Sequence, residues 1–244
     1  MRQATDMGKN LTGFGMAPFA SAEMEDNMTE TQPSQADNEE AFAELRQSYS
    51  EESPPVGSTP PPSNAKGMAK AGLEMLKGNK PTVFLDKLGE RLAFERTGTR
   101  LYQALISKYD SYGSWEGGPT RDQLQHFAED ELVHFELVRQ AIEELGGDPT
   151  AMTPSADLAG VTSEGVVQVI TDPRTGMAQS LQALLVAELT DNDGWVMLIE
   201  LASGIGQDEM AERFRVALEE EDEHLQSVRT WLMQEAELDA TRAL

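Results

Sequence analysis

From Pro81 onward the chain carries four long amphipathic segments, and the apolar seam of each is broken near its middle by acidic residues. In the first, Leu88, Leu92, Glu95, Thr99, Tyr102, Ile106 and Tyr109 alternate steps of four and three, the spacing of a bundle helix. The second carries Leu124, Phe127, Glu131, His134, Val138, Ala141 and Leu145 on its seam. The third carries Met177, Leu181, Leu184, Glu188, Asp191, Trp195, Leu198 and Ala202, and the fourth Phe214, Ala217, Glu221, His224, Val228 and Trp231. Pro81 suits a helix start and Gly113 ends the first run. Gly117-Gly118-Pro119-Thr120, Gly146-Gly147-Asp148-Pro149 and Gly204-Ile205-Gly206 punctuate the others. Four such helices bury their stripes against one another as a bundle.

The links between the first and second segments and between the third and fourth are short, so each pair is antiparallel. The long connection, Gly146 to Arg174, is rich in Gly, Pro, Thr and Ser and can cross the bundle end to end. The expected fold is therefore all-α: an antiparallel four-helix bundle over residues 79–240, running up, down, crossover, down, up. Residues 1–78 read as a low-complexity, mostly disordered tail. Ser21 to Ala65 is dominated by Ser, Thr, Pro, Glu, Asp and Gln, with Pro54-Pro55 and Pro60-Pro61-Pro62. Such a stretch buries too little apolar surface to offset its ordering entropy. Two short exceptions, Leu11 to Phe19 and Glu40 to Tyr49, read either as transient clusters or as docking peptides for a partner or shell. In the latter, Phe42 and Leu45 share one side of a short helix.

A formal net charge of -24 excludes a nucleic-acid surface and binding to anionic membrane, and makes cations the natural counterpart. With Cys 0 there is no disulfide, thiolate zinc site or iron–sulfur cluster. The start has no secretory pattern and no apolar run is long enough to span a bilayer, so a cytoplasmic protein is expected. Walker, dinucleotide and zinc-protease motifs are lacking.

The chemistry lies in the broken seams. Burying an ionised carboxylate costs several kcal/mol unless it is paired or binds metal. Glu131 and His134, like Glu221 and His224, are three apart on a helix and project from one face, so each pair offers an oxygen and a nitrogen to one ion. With Glu95 and Glu188 the seams hold four carboxylates and two imidazoles. Two divalent ions would balance the carboxylates, and oxygen-rich ligation suits iron or manganese. His126 reads as a surface histidine, and Glu219, Glu220, Asp222 and Glu223 as a solvated face. Asp191 stays open between an extra ligand or access-path carboxylate and the cap of a kink near Gly194.

On Glu95, Tyr102, Glu131, His134, Glu188, Glu221 and His224, the stretch from Pro81 to Leu238 resembles the ferritin-like di-iron superfamily, and bacterioferritin most closely. The resemblance implies Glu131 and Glu221 as bridging ligands, Glu95 and Glu188 as terminal ligands, and one nitrogen per metal from His134 and His224. Tyr102 would be an auxiliary residue beside the metals. The implied cofactors are two iron ions, with manganese as an alternative. Haem is not expected, because Leu132 stands where bacterioferritin has its haem-ligating Met. Too few residues follow His224 for the fifth helix of cage ferritins, and a homodimer or higher homo-oligomer is expected. The implied activity is a ferroxidase that binds Fe(II) and oxidises it with dioxygen or peroxide. The alternatives are a di-iron or di-manganese oxidase or catalase with another substrate, and a metal-stabilised structural or interaction bundle.

Overall fold

The computed structural model describes residues 17–30, 39–61, 67–68 and 81–241. The chain divides into two compact units, Met1–Pro55 and Val56–Leu244. In the first, α1 spans Pro18–Glu30 and α2 spans Glu39–Glu52. Neither buries a described side chain. Helix α2 contains the segment in which Phe42 and Leu45 share a face. Helix α1 falls in a stretch expected to carry no structure, and its reason is local: Pro18 presets the first turn, and Ala, Glu and Met are good helix formers. Most of the Leu11 to Phe19 segment lies outside the described residues.

The second unit holds α3 (Pro81–Tyr112), α4 (Arg121–Glu144), α5 (Pro154–Thr171), α6 (Met177–Gly204) and α7 (Asp208–Thr241). Helices α3, α4, α6 and α7 are the four amphipathic segments. Thr120 starts α4 with a capping box: its hydroxyl accepts from the Gln123 amide at 3.2 Å, and its own amide donates to Gln123 Oε1 at 3.0 Å. Gly146 (φ 81°) and Gly206 (φ 75°) turn the chain beyond α4 and α6 through left-handed backbone that side chains disfavour.

The long connection is not an irregular crossover, because α5 occupies most of it. Its Gly, Ser and Thr content hides it from a periodicity search. Tertiary contacts supply what its sequence lacks. At its start Asp86 of α3 accepts from the Ser155 amide at 3.0 Å and hydroxyl at 2.6 Å. Beyond its end Lys108 of α3 donates to the carbonyls of Asp172 at 2.8 Å and Thr175 at 2.6 Å. Asp86 and Lys108 are separated by about 33 Å at 1.5 Å per residue, so α5 lies along α3 for most of its length. Gly89 permits that closeness: a Cβ there would lie 2.5 Å from Thr153 Oγ1.

The core is split in two. One cluster joins Phe84, Leu88 and Leu92 at the start of α3 with Val138 and Ile142 of α4, Trp195 and Leu198 of α6, and Phe214 of α7. The other joins Leu101 and Leu105 with Phe127, Leu181, Leu184, Val228 and Trp231. The start of α3 thus meets the end of α4, the end of α6 and the start of α7, which is the expected up-down-down-up order. Burying a Leu- or Phe-sized side chain contributes about 1.5–3 kcal/mol, so both clusters stabilise the bundle. In α3, α4, α6 and α7 the buried stripe between the clusters carries ionisable side chains.

Candidate metal centre

All six seam residues meet in that middle layer. Glu95 and Glu221 are 0% exposed, His134 and His224 1%, Glu131 and Glu188 2%. They fall into two trios, Glu95–His134–Glu221 and Glu131–Glu188–His224, and within each the ligand atoms lie within 4.8 Å of one another. Glu221 connects the halves: its Oε1 is 2.7 Å from His134 Nδ1 and its Oε2 3.3 Å from His224 Nδ1. Glu95 Oε2 lies 3.8 Å from His134 Nδ1, and Glu131 Oε1 lies 3.9 Å from His224 Nδ1. Among the described residues, both oxygens of Glu95 and Glu221, one each of Glu131 and Glu188, and both Nδ1 atoms lack hydrogen-bond geometry to any partner. Buried polar atoms left this way carry a desolvation cost that a shared cation removes. The donor set, carboxylate oxygens with two imidazole nitrogens, fits iron or manganese.

The outer imidazole nitrogens are tied down. His134 Nε2 is 2.7 Å from Glu220 Oε2, and His224 Nε2 is 3.2 Å from Asp130 Oδ2. With a proton on Nε2 shared with a carboxylate, Nδ1 faces the cluster as a lone pair. Glu220 therefore does more than join a solvated face, although its side chain is 45% exposed. Asp130 was also missed. A signal existed in the repeated pattern, since an acid precedes the ligand Glu in both Asp130-Glu131-x-x-His134 and Glu220-Glu221-x-x-His224. Periodicity cannot show that each acid holds the histidine of the other pair. Tyr102, fully buried, donates to Glu188 Oε1 at 2.5 Å. Gly98 leaves the space that the Glu131 carboxylate fills, for a Cβ there would collide with it. His126 is 64% exposed and 3.5 Å from Asp130, outside the cluster.

Asp191 is buried on α6, which continues as one helix past Gly194 to Gly204. Its carboxylate pairs with Arg91, which is 3% exposed and also donates to the Asp191 carbonyl at 3.0 Å. Arg91 lies 3.5 Å from Glu95 Oε1, with its guanidinium over the Phe94 ring at 4.5 Å. Gly194 makes room for it, because a Cβ there would stand 2.6 Å from a guanidinium nitrogen. Sequence reading missed Arg91. It sits one helical turn before Glu95, on the same face of α3.

Without metal the layer is electrostatically strained. Burial first, and neighbouring carboxylates with it, push Glu95 and Glu131 well above the ordinary carboxylate range; burial and the Glu221 charge raise Glu188 to about 8. Burial works against charge on the histidines, yet it is outweighed. His134, beside Glu221, Glu95 and Glu220, is raised to about 9, and His224, beside Asp130 and Glu221, to about 10. Burial also opposes charge on Glu221, but the two flanking histidines lower it to about 2. The metal-free cluster thus holds protons where metal ligation needs lone pairs.

A family model described as Ferritin-like domain matches residues 85–237. That span runs from the first turns of α3 into the last turns of α7 and contains every residue of the two trios. Neither the comparison with curated proteins nor that with solved structures gives a match. Helical bundle, buried carboxylate–histidine layer and family match agree, and the chain belongs to the ferritin-like domain family.

Proposed function

We propose that this protein is a ferroxidase that takes two Fe(II) as substrate, at Glu95, His134 and Glu221 and at Glu131, Glu188 and His224, and oxidises them with dioxygen or peroxide. The observation that carries the reading is the position of Glu221, whose two oxygens face the inward nitrogens of both histidines at 2.7 and 3.3 Å. A carboxylate that belongs to one trio and also faces the histidine of the other would draw two ions together, and two Fe(II) would supply two electrons. Two electrons and two protons take dioxygen to hydrogen peroxide, or peroxide to two waters. Oxidised iron would then leave for a mineral or carrier.

The chain's own residues perform the rest. Glu131 is the second carboxylate between the trios, and Glu95 and Glu188 close the two ends. Glu220 and Asp130 hold the imidazoles with Nδ1 inward and, by accepting from Nε2–H, would offset the electron density that ligation draws from the rings. Tyr102 orients Glu188 through its hydroxyl and is the nearest phenol to the layer, placed to donate a hydrogen bond or an electron. The two apolar clusters exclude bulk water on both sides, which strengthens the electrostatic interactions within. The proposal extends to a cytoplasmic homo-oligomer; among the described residues no helix is long and apolar enough to cross a membrane.

The test is anaerobic Fe(II) titration followed by oxygen, with metal analysis of the purified protein. Binding of two Fe(II) per chain and rapid oxidation on adding dioxygen or peroxide is the expected result. Binding of one or none would end the reading.

One observation favours a second reading, oxidation of an apolar organic substrate. A cavity of about 310 Å³ between α3, α5 and α6 is lined by Phe94, Thr97, Leu101, Val166 and Ala187, so its floor adjoins Glu95 and Glu188 along the chain. No charged side chain lines it, and Thr97 and Thr190 turn their hydroxyls to their own helix carbonyls at 2.9 Å. If reduced, iron-loaded protein consumes oxygen without turning over added Fe(II), this reading displaces the first.

A further inference from the structure

We infer that Arg91 occupies a third cation position in this cluster, and that its guanidinium limits the centre to two metal ions by holding Asp191 out of the ligand set. The inference rests on the di-metal reading above and concerns residues to which that reading gives no role.

Asp191 has the placement of a ligand. One of its oxygens and one each from Glu95, Glu131 and Glu221 lie within 4.8 Å of one another, all four residues being buried. Four carboxylate oxygens converging in that way suffice to begin a coordination sphere for a hard divalent ion. Both Glu95 oxygens lack hydrogen-bond geometry to any described group, so the cluster is aimed at something cationic rather than closed on itself.

The cation already there is Arg91. Its guanidinium contacts the Asp191 carboxylate, donates to the Asp191 carbonyl and stands 3.5 Å from Glu95. It is held by shape as well as charge, between the Phe94 ring at 4.5 Å and the backbone of Gly194. A buried arginine left unpaired would be costly, and a buried aspartate left unpaired equally so. Here each neutralises the other. Five buried carboxylates, Glu95, Glu131, Glu188, Asp191 and Glu221, are thereby balanced by two divalent ions and one guanidinium. A guanidinium cannot lose its proton near neutrality and cannot leave the chain, so this position stays filled whatever the metal supply.

Arg91 also lines a cavity of about 280 Å³ between α3 and α6, together with Lys87, Glu90 and Asp193. Shortening Arg91 would join that cavity to the cluster and leave a vacant position beside Asp191 that small cations can reach.

The experiment is Mn(II) binding by equilibrium dialysis with metal analysis, on full-length protein, together with thermal melts in chelator. Wild type is expected to saturate at two Mn(II) per chain, and Arg91→Ala to take up a third. Adding Asp191→Asn to Arg91→Ala should return the count to two. Low-millimolar guanidinium, which refills the vacated position, should displace the third ion from Arg91→Ala and raise its chelator melting temperature, with equal NaCl doing neither. Gly194→Ala, whose methyl group pushes on the guanidinium, is the milder variant should Arg91→Ala fail to fold, and it too should admit the third ion. A third ion in wild type overturns the inference. So do two ions in both variants with no specific effect of guanidinium. If wild type binds no Mn(II) or Fe(II), it is the di-metal reading that falls, and the guanidinium melt alone then decides whether Arg91 fills a cation position.

Discussion

Glu220 immediately precedes the Glu221–His224 pair, and His134 belongs to the other Glu-x-x-His pair on a different helix, yet Glu220 Oε2 lies 2.7 Å from His134 Nε2. Asp130 makes the reciprocal contact to His224 at 3.2 Å. Each histidine thus faces the cluster because the other pair's leading acid holds it from behind. Removing such a support typically costs about 10–100-fold in metal affinity. Glu220→Ala and Asp130→Ala should each weaken Fe(II) binding by about that factor in anaerobic titrations. Asp222→Ala should change little, because Asp222 bonds only the exposed Asn192 amide among the described contacts. Equal effects from all three would mean that the histidines are not oriented by these carboxylates.

Gly98→Ala should remove metal binding while leaving the bundle folded, since the three atoms nearest the added methyl all belong to the Glu131 carboxylate. Gly160→Ala in α5 is the companion, because its Cβ meets no atom within 4 Å. Relief of glycine's helix penalty should stabilise that variant by about 0.5–1 kcal/mol. Circular dichroism melts and Fe(II) titration on both variants read the contrast.

The protonation of the empty cluster gives a pH dependence of binding. Against the opposing effect of burial, the surrounding carboxylates raise His134 to about 9 and His224 to about 10, and ligation needs both rings without their second proton. Protons therefore compete with metal throughout the neutral range, not only below the usual histidine pKa. Apparent affinity should rise between pH 6 and 8 by about tenfold per pH unit for each proton displaced. Calorimetry in buffers of different ionisation enthalpy counts those protons, and a count of zero contradicts the assignment.

Glu131→Gln should stabilise the metal-free protein and abolish most of the stabilisation by metal. The folded-state pKa of Glu131 is raised well above 4.5, by burial first and then by the Glu221 charge. The folded protein therefore binds this proton more tightly than the unfolded chain does. Wild-type stability falls as pH rises from the unfolded value through the folded one, at about 1.4 kcal/mol for each unit of separation. Gln lacks that penalty, so its advantage in chelator melts should be small near pH 4 and grow towards pH 8. A variant less stable than wild type at pH 8, and stabilised as much by Fe(II), would make Glu131 an ordinary structural carboxylate.

The crossover helix should depend on its two clamps. Lys108→Met leaves the carbonyls of Asp172 and Thr175 without their shared donor, and Asp86→Ala leaves Ser155 without its acceptor. Each should cost about 1–3 kcal/mol and raise hydrogen exchange or proteolysis in α5 before the other helices.

The sequence by itself determined the four long helices, their order and the six residues of the two trios. The reason is that helix period and burial act locally: an apolar stripe with Glu95, Glu131, Glu188 or Glu221 at its centre has one way to face a core, and a His three residues on must face it too. Tertiary structure decided the rest. Helix α5 has a weak stripe and two interior glycines, and it is fixed by Asp86 and Lys108 from a helix tens of residues away. Arg91 and Asp191 are separated by a hundred positions, and Glu220 and His134 by eighty-six. Pairings at such distances depend on which helices become neighbours and at what height they pack, and a one-dimensional period carries no information about either.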